Sequence, residues 1–127
     1  MLISLLNREG DTMRILLAED ERSLSRAVVA LLEKSNYSAD AVYDGEEALA
    51  YLEAGNYDGV ILDIMMPKMS GYELTKELRS LGNSIPILMV TAKDDYDSLQ
   101  KGFSFGADDY MIKPVNVNEL LLRLKLN

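Results

Sequence analysis

Five short apolar runs, each followed by a stretch of helical period, constrain this chain more than any other feature. The runs are Arg14–Ala18 (RILLA), Ser38–Val42 (SADAV), Val60–Leu62, Pro86–Val90 (PILMV) and Asp109–Ile112. They are apolar along their length rather than alternating, which is the pattern of strands covered on both faces. After the first run, Leu24, Ala27, Val28, Leu31 and Leu32 recur at helical spacing to about Ser35. Asp44 and Glu47 form a capping pattern that opens a second helix through Leu52, and Gly55 closes it. A third helix is expected over Gly71–Leu81 and a fourth, less regular one over Asp95–Phe105. A leucine-rich last helix begins at Asn116. The fold class that follows is α/β: a doubly wound, five-stranded parallel sheet in the flavodoxin-like order 2-1-3-4-5, with helices on both faces.

The chain has 127 residues, enough for one domain with a core of its own. Met13, directly before the strand-like RILLA, looks like a second and more natural start, so the reading is a domain over 13–127. Residues 1–12 precede it as an N-terminal extension, either an extra element or an artificial addition. With no cysteine and no histidine, the chain cannot use disulfides, thiolate metal sites, histidine-ligated zinc or a Ser-His triad. The formal charge of -8 argues against a basic face that grips nucleic acid. It suits an acidic site that takes a cation. No apolar run approaches the ~20 residues of a membrane span, and the expected location is cytoplasmic.

In a sheet of this kind ligands bind beyond the carboxyl ends of the strands. The residues there are Glu19 and Asp20 after the first strand, Asp63 after the third, Thr91 after the fourth and Lys113 after the fifth. Three neighbouring carboxylates repel one another, and a hard divalent cation relieves that repulsion. Mg2+ (or Mn2+) would leave positions open for a phosphoryl oxygen. Lys113 and Thr91 could meet other phosphoryl oxygens. A carboxylate nucleophile would then give an acyl phosphate, with Asp63 best placed on a central strand. The plain alternative for Asp20 is that it caps the first helix.

The motifs AED at 18–20, LDIMMP at 62–67 with Gly71, VTA at 90–92 and GADDYMIKP at 106–114 resemble the receiver domain of bacterial two-component response regulators. The resemblance implies that Asp63 is the phosphoacceptor. It implies that Glu19, Asp20, Asp63 and the backbone carbonyl of Met65 hold Mg2+. Thr91 and Lys113 would contact the phosphoryl group, and Tyr110 would be the aromatic switch that follows Thr91. The implied partner is a sensor histidine kinase. Such a domain is a switch rather than an enzyme with its own substrate. GADDY, Glu119 and Arg123 further resemble the subfamily with winged-helix DNA-binding output domains. There, Asp109, Glu119, Arg123 and a basic residue of the fourth helix pair across a phosphorylation-dependent homodimer. Leu99 stands where that basic residue is usual, with Lys101 two residues later. The expected output is control of transcription through the surface of the fourth helix, fifth strand and last helix.

Three other readings compete. A haloacid-dehalogenase-like phosphatase would need an acid two residues after the nucleophile, where Met65 stands. A flavodoxin-like cofactor binder would need a Gly-, Ser- or Thr-rich loop after the first strand, where EDERSLS stands. A receiver-like binding module that is never phosphorylated would not need the complete acceptor set.

Overall fold

The computed structural model describes residues 12–92, 97, 100 and 104–126. The expected N-terminal extension apart from Thr12 lies outside these residues. So does most of the expected fourth helix, Leu99 and Lys101 included. The described elements are β1 (Met13–Ala18), α1 (Arg22–Lys34), β2 (Tyr37–Val42), α2 (Gly45–Ala54), β3 (Gly59–Asp63), α3 (Gly71–Ser80), β4 (Ile87–Thr91), β5 (Asp109–Ile112) and a C-terminal helix (Val117–Leu126). The strands form one parallel sheet in the order β2-β1-β3-β4-β5.

Side chains alternate across each strand, so every central strand feeds two core layers. Ile15 and Leu17 join Ile61, Leu88 and Val90 beneath α1 and the C-terminal helix. Leu16 and Ala18 join Val60, Leu62 and Met89 beneath α2 and α3. Burying each large aliphatic side chain contributes about 1.5–3 kcal/mol. That requirement for two covered faces explains why the central strands carry almost no polar residue until their carboxyl ends.

Most element ends have local causes. Asp44 caps α2 by accepting from Glu47 N (2.8 Å), while the Glu47 side chain reaches back to Tyr43 N. Ser70 and Glu73 form a reciprocal capping box on α3. Asn116 accepts from Glu119 N at the start of the C-terminal helix. After α1 the chain turns through Asn36 at φ 70, a left-handed conformation that asparagine tolerates. Strand β4 starts one residue later than expected. Pro86 has no N–H for the ladder and contributes only its carbonyl, which accepts from Val60 N.

At the amino-terminal edge of the sheet, Arg79 makes five hydrogen bonds. It donates to the carbonyls of Asn83 and Ile85, twice to that of Gly106, and to the Asp108 carboxylate. Asp108 in turn accepts from Ile87 N. One guanidinium thus ties the end of α3 to the entries of β4 and β5. Removing it leaves partly buried carbonyls without donors. Arg79→Ala is expected to cost about 2–3 kcal/mol in urea unfolding. Arg79→Lys should recover less than half, because an ammonium lacks the planar fork. A loss below 0.5 kcal/mol for alanine, taken as roughly the level of a surface change, would contradict this role.

Candidate functional site

The chain order reverses between β1 and β3, which lie side by side in the sheet. Their carboxyl ends therefore open a crevice. Asp63 is the last residue of β3 and is 5% exposed; Glu19 directly follows β1 and is 3% exposed. Asp20 is exposed at the rim. Glu21, not Asp20, occupies the cap position of α1, and it makes no side-chain cap bond. The capping role considered for Asp20 is therefore absent.

Glu19, Asp20 and Asp63 each offer a carboxylate oxygen, and these oxygens lie within 4.8 Å of one another. Lys113 follows β5, and its ammonium lies 3.1 Å from Glu19 Oε1 and 3.3 Å from Asp63 Oδ2. Lys113 N donates to Thr91 O at 2.7 Å, which carries the β4–β5 ladder to the edge of the crevice. Glu19 Oε2 accepts from Glu21 N and Asp63 Oδ1 from Met65 N. Thr91 is buried one residue beyond Val90, the register partner of Asp63. The five strand-end residues picked out from the sequence are thus brought to one edge of the sheet.

Burial pushes the carboxyls of Glu19 and Asp63 above their ordinary values. Burial would lower the Lys113 ammonium, but the two carboxylates outweigh it and hold its pKa above the ordinary lysine value. One cation divided between two acids gains more than either acid does. The cluster carries uncompensated negative charge away from bulk water. An oxygen-rich, anionic donor set of this kind fits a hard divalent cation.

A carboxyl with a raised folded-state pKa costs stability when ionised. That cost is full above the folded value and vanishes below the ordinary one. Protons and a divalent cation relieve the same repulsion, so they compete. If Mg2+ binds this cluster, the thermal stabilisation it gives should shrink as the pH falls from the raised carboxyl values toward the ordinary ones. A constant shift over that range would place the cation elsewhere.

Away from the crevice, Tyr110 is half-buried and packs on the core layer beneath α2 and α3. Arg123 pairs with Asp109 at 3.1 Å and with Glu119 at 3.4 Å. The three charges expected to face a second copy thus pair with one another inside one chain. Asp109 and Glu119 hold the arginine, and Asp109 raises its pKa most.

Two contributors have no legible role in the sequence. Gly71 belongs to a motif there, but its role is spatial: a Cβ at this position would lie 2.7 Å from the Asp63 carbonyl oxygen. Gly45 carries no motif signal at all.

The family model described as response regulator receiver domain matches residues 15–125. The chain belongs to this family. The transcriptional regulatory protein DltR of Streptococcus agalactiae is 45% identical over 114 residues, covering 90% of this chain and 51% of DltR. CiaR of Streptococcus pneumoniae, also a transcriptional regulatory protein, is 43% identical over 115 residues, covering 89% of this chain and 50% of CiaR. The chain spans about half the length of the curated relatives it matches. Among solved structures, the receiver domain of the sensor histidine kinase PA1611 from Pseudomonas aeruginosa holds a magnesium ion in its active-site cleft. It superposes with a TM-score of 0.84 at 30% identity, covering 91% of this chain and 97% of that one. The receiver domain of Francisella response regulator 1452 gives a TM-score of 0.86 at 30% identity, over 91% and 95% of the two chains. The expected fold, strand order and family therefore hold. The phosphatase and flavodoxin-like readings gain no support. Among the described residues, no helix is long and apolar enough to cross a membrane.

Proposed function

We propose that this receiver domain accepts a phosphoryl group on Asp63 and uses it to reset the surface around β5 and the C-terminal helix. The observation that carries the reading is the Lys113 ammonium set between Asp63 and Glu19, with Asp20 completing the acid cluster. Glu19, Asp20, Asp63 and the Met65 carbonyl would hold Mg2+ or Mn2+. The cation supplies positive charge against phosphoryl oxygens when bound.

An Asp63 oxygen attacks the phosphorus of a phosphohistidine on a partner histidine kinase. The phosphorus–nitrogen bond breaks, the imidazole leaves with that electron pair, and an acyl phosphate forms. Burial supports this step, because a carboxylate at 5% exposure has shed most of its water. Lys113 already touches Asp63 Oδ2 and can follow the negative charge onto a phosphoryl oxygen. An open groove lined by Glu21, Ser23, Leu24, Ala92, Lys113 and Pro114 gives the donor an approach.

The hydroxyl of Thr91 then turns to the phosphoryl group, and Tyr110 moves into the space released. The Asp109–Arg123–Glu119 cluster is the surface that changes; Lys101, the basic residue considered with it, lies outside the described residues. To pair across a homodimer these side chains would exchange intrachain partners for those of a second copy. Output is transcription, carried by a winged-helix segment of the kind the subfamily resemblance implies, in the cytoplasm. The charge of -8 argues against direct contact between this domain and nucleic acid.

Acetyl phosphate tests the reading without a kinase. With Mg2+ the intact mass should rise by one phosphoryl group, and a chelator should prevent it. Mg2+ at ten times its dissociation constant should stabilise the fold by about 1.4 kcal/mol. Asp20→Ala should lose most of that gain. No mass change, or an equal thermal shift in Asp20→Ala, would count against the site.

A further inference from the structure

We propose that Gly45, at the start of α2, is a positioning residue for the loop that carries Met65, and so for divalent-cation affinity. The inference rests on the metal site proposed above. The loop between β3 and α3 is a closed ring. Ile64 N donates to Val90 O, and Gly71 N donates back to Ile64 O at 2.9 Å. Met65 N is tied to the Asp63 carboxylate inside the same ring.

The first turn of α2 presses on the far side of this ring. Gly45 N donates to Pro67 O at 3.3 Å, and Met69 N donates to the same carbonyl. A Cβ on Gly45 would collide with the Met69 carbonyl oxygen and lie 2.6 Å from Met69 Cβ. Lys68 is held at φ 69 in the left-handed region, and its ammonium lies 3.7 Å from the Asp44 carboxylate. Gly45 itself needs no unusual φ. Glycine is required there for space alone, at a helix position that otherwise accepts most residues. The core holds α2 through Ala48 and Leu52, and α3 through Leu74 and Leu78. A side chain at position 45 therefore displaces Met69. Because the ring is closed at Ile64 and Gly71, the displacement runs through residues 65–68.

The test is Mg2+ titration of the whole chain by calorimetry. Gly45→Ala is expected to weaken Mg2+ binding about tenfold, the scale at which residues supporting metal ligands act. Gly82→Ala serves as control, because Gly82 has φ 79 but open space around it. It should lose stability and keep wild-type affinity. Should Gly45→Ala not fold, Met69 carries the test without adding atoms. Met69→Ala keeps the Cβ that abuts Gly45 and should bind within twofold of wild type. Met69→Gly removes it and should bind at least threefold more weakly. Wild-type affinity in folded Gly45→Ala, or equal affinities in the two Met69 variants, would overturn the proposal and leave the metal site standing. No binding by wild type would overturn the metal site itself.

Discussion

Lys113→Ala is expected to cost the metal-free protein about 2 kcal/mol at pH 7, and the Mg2+-loaded protein much less. The ammonium bridges two carboxylates that are nearly buried, at 3.1 and 3.3 Å. Removing one partner of such a cluster leaves charge on carboxylates that are only 3% and 5% exposed. The full penalty for a buried pair is tempered here because the lysine side chain is 29% exposed. A divalent cation replaces the lost charge, so the variant should bind Mg2+ at least as tightly as wild type. It should also accept a phosphoryl group, since Asp63 and the other acids remain. Transmission is what fails. Lys113 is joined to Thr91 through its backbone N–H, and Tyr110 and Asp109 lie just before it on β5. Without the ammonium, nothing draws the end of β5 toward the phosphoryl group. Urea unfolding with and without Mg2+ measures the first effect. Phosphorylation-dependent self-association at matched phosphorylation measures the second. A variant as stable as wild type without metal, or one that self-associates normally, would remove Lys113 from its assigned role.

Asp63→Asn is expected to have the opposite effect on the metal-free fold, raising stability by about 1 kcal/mol at pH 7. Burial disfavours the ionised carboxyl, and an amide of the same shape carries no charge. The two donors meet different carboxylate oxygens, and the amide keeps only one: its oxygen can accept from Met65 N–H, its NH2 then faces the Lys113 ammonium, and Lys113 keeps Glu19. The gain should depend on pH. Ionised Asp63 costs stability above its raised folded-state value, and the cost disappears below the ordinary carboxyl range. The difference between variant and wild type should therefore be largest near pH 7 and close as the pH falls toward 4. Mg2+ affinity and phosphoryl acceptance should drop by more than tenfold and to background, respectively. Urea midpoints from pH 4 to pH 8 decide it. A variant less stable than wild type at pH 7 would mean that the Lys113 pair outweighs the cost of burial.

The sheet is legible in the chain because burial on two faces leaves a mark that needs no partner. Arg14–Ala18 and Pro86–Val90 are apolar nearly throughout, and that alone implies helices above and below. The crevice is legible because it is the place where those runs stop, at Glu19, Asp63, Thr91 and Lys113. Arg79 is not. Its five bonds go mostly to carbonyls left over in loops, and nothing in the sequence marks which carbonyls those are. Locally it is one more basic residue in the last turn of a helix. The pairing of Arg123 with Asp109 joins residues 14 apart on different elements. Its sequence signature is the same whether the partner is in one chain or in two. Gly45 looks like an ordinary first residue of a helix, because the reason for glycine lies on Met69, in another loop. The boundary at Ile87 turns on one missing N–H.

The central claim is that Asp63 is the phosphoryl-accepting residue, and borohydride trapping tests it most directly. An acyl phosphate on aspartate is reduced to an alcohol, which converts that residue to homoserine. After incubation with acetyl phosphate and Mg2+, peptide sequencing should find homoserine at position 63, and Asp63→Asn should yield none anywhere. Reduction at Asp20 or at another acid in the wild-type chain, with Asp63 intact, would contradict the account.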